Sequence, residues 1–337
     1  MYRIAHLIDD QSLGGVTRYL DFIARDPGMS ALAQHEIVPV ARTRAGAAKV
    51  EADLIVSHLT ISWRGLPGLM ALRARYPGTP LVHVEHSYSE RFVATNVRRR
   101  NRFHSLLRCA YALFDKVVAV SGAQGDWLRQ RELVDAGRFH VIRPCVELDD
   151  LASIPAPTTP IRRIGAIGRL DDQKGFDVLI SAFRSLQGAD ISLEIFGDGP
   201  ERDSLVAMAG DDARITFHGA KPAAEAYAGC DLVAMPSRWE PYGLVAVEAR
   251  AAGRPVLVSG ADGLSDHLRH GAFRVSELSE AAWNRALVEH LGSSNLPCRA
   301  DPKADMAETI VAWEMLITDL MATTSEDADT PTESARA

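Results

Sequence analysis

CDLVAMPSRWEPYGLVAVEARAAGRPVLVS, residues 230–259, reads as strand, turn, helix and strand in succession. Pro241 and Gly243 mark the turn, the Ala-rich run from Leu244 to Ala252 favours a helix, and Gly253 and Pro255 stop it. The flanking runs LVAMPS and PVLVSG are almost continuously apolar, as strands buried on both faces must be. Two parallel strands joined by a crossover helix is the unit this implies. Within the helix, Leu244, Val247, Glu248 and Ala251 share the face that should point inward. An unpaired carboxylate there is costly, so Glu248 is expected to meet a partner, a cleft or a ligand with hydroxyls. Glu240, eight positions earlier, precedes the helix. The plainer alternative is a salt-bridged helix glutamate beside an ordinary loop glutamate.

The same alternation extends in both directions. Downstream of residue 160 it runs through RIGAIGRL, FDVLISAFRSL, ISLEIFG, ERDSLVAMAG, RITFHG and AAEAYAGC. Upstream, RIAHLI, HEIVPVA, ADLIVSHL, PLVHVEHS and KVVAVS are short apolar strands separated by helix-like segments. The Pro-rich ASIPAPTTP interrupts both periodicities and serves as the expected linker. An α/β architecture of two Rossmann-like domains facing each other across a cleft follows, with ligands at the carboxyl ends of the strands. The expected division is an N-terminal domain over 1–153, a C-terminal domain over 161–305, a helix over 306–322 that packs back on the first domain, and a disordered acidic tail over 323–337.

The chain has 337 residues, 47% of them hydrophobic, enough for two cores. Its net charge of −7 is uneven: residues 1–150 carry +4 and the remainder −11, so the N-terminal half is the one suited to something anionic. Cys109, Cys145, Cys230 and Cys298 lack metal-ligand spacing, and no secretory signal is evident, which makes a reduced cytoplasmic protein the expectation. No run reaches eighteen apolar residues. An acidic chain without a nucleic-acid module argues against a nucleic-acid partner.

Several loops place charge or glycine at strand ends. GRLDDQKG puts Gly168, Arg169 and Lys174 between a strand and a helix, where an anion would meet cations and a helix N-terminus. Gly197, Gly199 and Gly219 follow two further strands and allow close approach of a ligand to the backbone. They do not form a dinucleotide fingerprint, because its third glycine would fall at Arg202. Tyr242, Gly243, Leu244 and Val245 open the helix of Glu248, and its first amides form an anion site. Cations, helix amides and two carboxylates together suit a sugar nucleotide.

In order and spacing, GRLDDQKGFDVLISAF, LEIFGDGPER, ITFHG and the 230–259 stretch resemble the family 4 glycosyltransferases. The resemblance is dense over 163–260 and thinner in the first domain. It implies a retaining, metal-independent GT-B enzyme that needs no cofactor beyond its nucleotide diphosphate sugar co-substrate. It implies that Arg169 and Lys174 clamp the diphosphate, Glu240 holds the transferred sugar, and Glu248 binds the nucleotide ribose. Gly14 and Gly15 match the glycine turn facing the donor phosphates, and His86 matches an active-site histidine, with His58 the alternative. The sequence departs from the family where VIRPCVELDD replaces the usual Asn-Gly after Pro and where Tyr242 replaces a common Phe. The Asp-x-Asp spacing at Asp327 and Asp329 falls in the expected tail, so no catalytic metal is expected.

One basic amphipathic stretch, Glu90–Phe114, sets Arg91, Arg98, Arg99, Arg100 and Arg102 among Phe92, Phe103, Leu106 and Leu107. It would suit an anionic membrane surface or a phosphate-bearing acceptor, the alternative being a solvated helix face. The expected function is transfer of a sugar to a polysaccharide, lipopolysaccharide or lipid-linked glycan at the inner face of the cytoplasmic membrane. The competing readings are a non-catalytic sugar-nucleotide-binding protein and a GT-B epimerase or hydrolase.

Overall fold

The computed structural model describes the chain apart from residues 13, 158, 189, 294–300 and 329–337, and apart from the side chains of 302 and 323–328. Its described residues form two six-stranded parallel sheets. The first contains β1 (Tyr2–Ile8), β2 (Ala33–Pro39), β3 (Leu54–Ser57), β4 (Leu81–Glu85), β5 (Lys116–Ala119) and β6 (Phe139–Val141), in the order β2-β1-β3-β4-β5-β6. The second contains β7 (Arg163–Ile167), β8 (Ser192–Phe196), β9 (Ile215–Gly219), β10 (Leu232–Met235), β11 (Val256–Val258) and β12 (Phe273–Arg274), in the order β12-β11-β10-β7-β8-β9. The strand order reverses between β1 and β3 in one sheet and between β7 and β10 in the other. At those two points the carboxyl ends of the strands open onto a crevice.

The central strands were readable because they are buried on both faces: every residue of β3, β4 and β10 is buried. The edge strands β6 and β12 are short and half-buried or exposed, and no hydrophobic pattern announces them. The chain crosses between domains earlier than the Pro-rich stretch. The short helix Asp149–Ala152 already packs on the helices Ala223–Ala228 and Leu244–Ala251 of the second domain, burying Leu148, Leu151 and Ile154.

The C-terminal helix spans Pro302–Ala328, longer at both ends than the 306–322 expected. Backbone hydrogen bonds propagate from its packed turns without a further apolar signal. Trp313, wholly buried, donates from Nε1 to Tyr19 Oη of the first domain at 2.7 Å, and Thr309 Oγ1 donates to the Arg143 carbonyl at 2.8 Å. The part of the expected tail over 329–337, Asp329 included, lies outside the described residues, as does Cys298. No helix among the described residues is long and apolar enough to cross a membrane.

The two domains also meet through carboxylates at helix N-termini. Asp262 accepts from Ser89 Oγ (2.7 Å) and Arg91 N (3.0 Å) at the start of the helix Glu90–Asn96. Four residues on, Asp266 accepts from Gly122 N (2.8 Å), Ala123 N (3.3 Å) and Arg143 Nε (2.8 Å) at the start of the helix Gly122–Gln130. Each places a negative charge where unpaired amides and the macrodipole favour one.

Candidate active site

Between the sheets lies a cleft of about 840 Å³, lined from both domains. The loop after β1 brings Gly14 and Gly15 to it, and the Gly15 α-carbon stands against Leu244: a β-carbon there would come within 3.3 Å of Leu244 Cδ1. The N-termini of the helices Gly15–Arg25 and Leu244–Ala251 therefore approach each other across the opening.

On the second domain, Gly168, Arg169 and Lys174 reach the cleft from the loop after β7, and Gly197 from the end of β8. Gly197 is required by packing: its φ is +141°, and a β-carbon would sit 1.8 Å from the Gly168 carbonyl oxygen. Gly199 and Gly219 do not line the cleft; Gly199 is pressed against the Leu170 backbone instead. Tyr242 lines the cleft but is mostly buried against His267, whose Nε2 bonds the Tyr242 carbonyl at 3.0 Å. Gly243, at φ +98°, turns the chain into the helix, and Leu244 and Val245 follow at the cleft wall.

The charged residues are paired among themselves. Lys174 Nζ donates to Glu240 Oε2 at 2.6 Å, and Ser237 Oγ donates to the same oxygen at 3.2 Å. Arg169, largely exposed, bonds Asp171 Oδ2 at 2.8 Å. Glu248 is almost wholly buried: its Oε1 pairs with Arg18 of the first domain, and its Oε2 accepts from Tyr227 Oη at 2.6 Å. Burial and the adjacent Glu248 anion push the Tyr227 phenol well up, so it stays a donor. The inward carboxylate thus has its partner, and each oxygen keeps a second lone pair for a ligand hydroxyl. Arg18, Tyr227 and Asp262 escaped the sequence reading. Arg18 sits one turn after the glycine loop, which is a usable signal; the other two stand in no motif.

His86 and His58 both line the cleft and bond each other, His86 Nε2 to His58 Nδ1 at 2.8 Å, with rings stacked. The two candidates for one position are thus neighbours in one arrangement. Burial lowers the His86 pKa to about 4, opposed in part by Glu85.

The basic stretch is two helices, Glu90–Asn96 and Arg100–Tyr111, and its apolar side is already used. Leu106 and Leu107 lie in the core, Phe103 packs on Tyr88, and Phe92 packs edge-on to Trp239 of the second domain. The apolar side chains of the stretch are thus spent on the core and the domain interface, and its arginines are what it presents outward. Arg91, Arg98, Arg99, Arg100 and Arg102 are exposed, and the last four line a shallow concavity of about 630 Å³. Arg102 lies over the Trp63 ring at 5.3 Å. Among the described residues no group of three or more His, Cys, Asp or Glu is arranged to hold a metal.

Two family models match the chain in succession: Glycosyltransferase Family 4 over residues 9–150 and Glycosyl transferases group 1 over 161–293. The chain belongs to glycosyltransferase family 4. This family 4 member is 33% identical over 205 residues to a D-inositol 3-phosphate glycosyltransferase of Nocardia farcinica, covering 53% of this chain and 45% of that one. The aligned region thus spans about half the length of that curated relative. Among solved structures, sucrose-phosphate synthase of Thermosynechococcus elongatus superposes with a TM-score of 0.73 at 19% identity, covering 96% of this chain and 100% of that one. HepE of Anabaena in complex with UDP and glucose gives 0.66 at 20%, with the same coverages. These likenesses establish the GT-B fold of two Rossmann-like domains.

Proposed function

We propose that this protein transfers a glycosyl group from a nucleotide diphosphate sugar to a hydroxyl of a glycan or lipid-linked acceptor, with retention and without a metal. The observation that carries the reading is the convergence of Lys174, Glu240, Glu248 and the Leu244–Ala251 helix N-terminus on one cleft wall. Breaking a glycosyl phosphate bond develops negative charge on the diphosphate and positive charge on the sugar ring. Arg169, Lys174 and the Gly243–Val245 amides stabilise the first, with no reorganisation at the moment of reaction. Lys174 already pairs with Glu240, so it bridges the departing diphosphate and the carboxylate that orients the sugar. Glu248, held by Arg18 and Tyr227, accepts from the ribose hydroxyls. His86 faces the reacting sugar, and the catalysis is largely orientation and electrostatics.

A thermal-shift panel of UDP-, GDP-, ADP- and dTDP-sugars tests the donor, since a ligand that binds the folded state raises its melting temperature. Nucleotide diphosphate release only with acceptor present supports transfer. Release without acceptor indicates hydrolysis, and binding without turnover a sugar-nucleotide-binding protein. The acceptor class rests on the charge asymmetry and on the exposed Arg98, Arg99, Arg100 and Arg102, which favour an anionic or membrane-linked glycan. Co-sedimentation with anionic liposomes at low salt, lost at high salt, is the expected result; absence of binding at low salt removes the membrane from the reading.

A further inference from the structure

Four histidines on adjacent strands of the first sheet form a single hydrogen-bonded file. His35 lies in β2, His6 in β1, His58 just after β3 and His86 just after β4, and the sheet order β2-β1-β3-β4 sets them side by side. His86 Nε2 meets His58 Nδ1 at 2.8 Å, His58 Nε2 meets His6 Nδ1 at 3.0 Å, and His6 Nε2 meets His35 Nδ1 at 3.0 Å. The file ends where His35 Nε2 meets the Met29 carbonyl at 3.2 Å. Trp313 packs edge-on against His6 and Tyr19 against His86, so the rings are held in place.

A carbonyl only accepts. His35 must therefore carry its proton on Nε2, which leaves Nδ1 of a neutral ring bare to accept from His6. The same logic passes along the file: each neutral ring donates from Nε2 and accepts at Nδ1. Burial lowers the pKa of all four, keeping them uncharged near neutrality. At the cleft, His86 Nδ1 has no hydrogen-bond partner among the described residues.

We propose that His35, His6 and His58 are positioning residues that fix the tautomer of His86, so that it presents a bare Nδ1 lone pair to the cleft and accepts a hydrogen bond from a substrate hydroxyl. The file's polarity comes from the protein alone; only the use of the lone pair rests on the glycosyl-transfer reading.

Replacing His35, three rings from the cleft, tests this. In His35→Phe the buried His6 Nε2 loses its acceptor. Keeping a proton there would orphan a buried donor, whereas reversing every tautomer moves the exposed N–H to His86 Nδ1, where cleft water can accept it. In His35→Asn the amide oxygen stands near the position of Nδ1 and continues to accept from His6. Ring nitrogen-15 NMR distinguishes the forms, and couplings across the N–H···N bonds report the file directly. Wild type and His35→Asn should show a pyridine-type His86 Nδ1, and His35→Phe a pyrrole-type one. A protonated Nδ1 in the neutral wild-type ring, or a bare Nδ1 in His35→Phe, overturns the proposal. In transfer assays, kcat of His35→Phe should fall about tenfold with donor KM unchanged, and His35→Asn should restore it. A reversed tautomer with wild-type kcat overturns the use of the lone pair. A wild-type protein that performs no transfer refutes the transfer reading while the nitrogen shifts still decide the file.

Discussion

The two walls of the cleft present their candidate site residues in opposite states of charge. On the C-terminal wall every principal cation or carboxylate is held by an opposite charge: Lys174 by Glu240, Arg169 by Asp171, Glu248 by Arg18 reaching across from the other domain. On the N-terminal wall, which also carries Asp9, Asp10 and Arg18, the candidate site residues His86 and His58 are imidazoles kept neutral by burial, and this histidine face is the neutral wall of the contrast. The charged wall can exchange its internal pairs for those of a diphosphate and so adapt to a change in ligand charge. The neutral wall offers directionality, a lone pair whose orientation is set by a file of rings. A reaction that separates charge at one end and moves a hydroxyl proton at the other has use for both.

The sharpest way to break this contrast is to neutralise the charged wall at its centre. Glu240→Gln keeps the shape but withdraws the anion that holds Lys174 at 2.6 Å, and Gln accepts hydroxyl hydrogen bonds more weakly. Transfer is expected to fall on the order of 100- to 1000-fold, the scale seen when one preorganised electrostatic group is removed. Steady-state turnover of a variant whose circular dichroism matches wild type measures it; a wild-type rate would show that Glu240 does not hold the sugar.

The neutral wall is best broken with acid. An imidazole with a depressed pKa stays unprotonated in the folded state, while the unfolded chain takes up a proton below about 6.5. Between those values the unfolded state binds more protons, so stability is full above pH 6.5 and declines as pH falls toward the folded pKa. For His86 that limit is about 4, and for the core residue His267 about 3. By pH 5 each contributes roughly 2 kcal/mol of lost stability. Thermal melts from pH 7.5 to 4.5 should therefore show a falling melting temperature that begins below 6.5. A flat profile would mean that these rings are not held neutral.

Both walls were unequally legible in the sequence. The charged wall follows from short stretches, GRLDDQKG and WEPYGLVAVE, because a parallel sheet sends its strand-to-helix loops to one edge and a local motif therefore becomes a local piece of site. The neutral wall does not. His6, His35, His58 and His86 are spread over some eighty positions, and only the strand order makes them neighbours; that order puts β2 outside β1, which no local pattern encodes. Asp262 and Asp266 belong to the same class of omission, since their partners are helix ends of another domain. The basic stretch Glu90–Phe114 was ambiguous in the opposite sense. Its apolar spacing was real, but the sequence could not tell a core from a membrane as the thing it packs against.

Arg18 joins the walls, and its loss should be felt on donor binding. Arg18→Ala removes the cross-domain partner of Glu248 Oε1 and leaves a nearly buried carboxylate with Tyr227 as its remaining side-chain partner. The guanidinium is two-fifths exposed, so solvent screens part of the loss. Donor affinity is expected to drop about tenfold, the equivalent of one charge-assisted hydrogen bond. Isothermal titration with the donor found in the thermal-shift panel checks it; unchanged affinity would separate Arg18 from the ribose site.

Tyr227→Phe gives the smallest effect and the most specific one. The hydroxyl donates to Glu248 Oε2 at 2.6 Å from inside the core, and a Phe ring fills the same space. Its removal takes away one hydrogen bond to the carboxylate on the side away from Arg18. Glu248 then turns on a single anchor and, on the proposed reading, would meet the ribose hydroxyls less squarely. About 1–2 kcal/mol of that bond is at stake, which is roughly a five- to thirty-fold loss in full and a few-fold loss once cleft water replaces part of it. The loss should appear in donor KM, with kcat held within about two-fold, because Glu240, Lys174 and the His86 lone pair are untouched and the transition-state contacts at the sugar remain. A fall in kcat with KM unchanged would move Glu248 from the ribose to the reacting centre, and with it the division of labour between the two carboxylates.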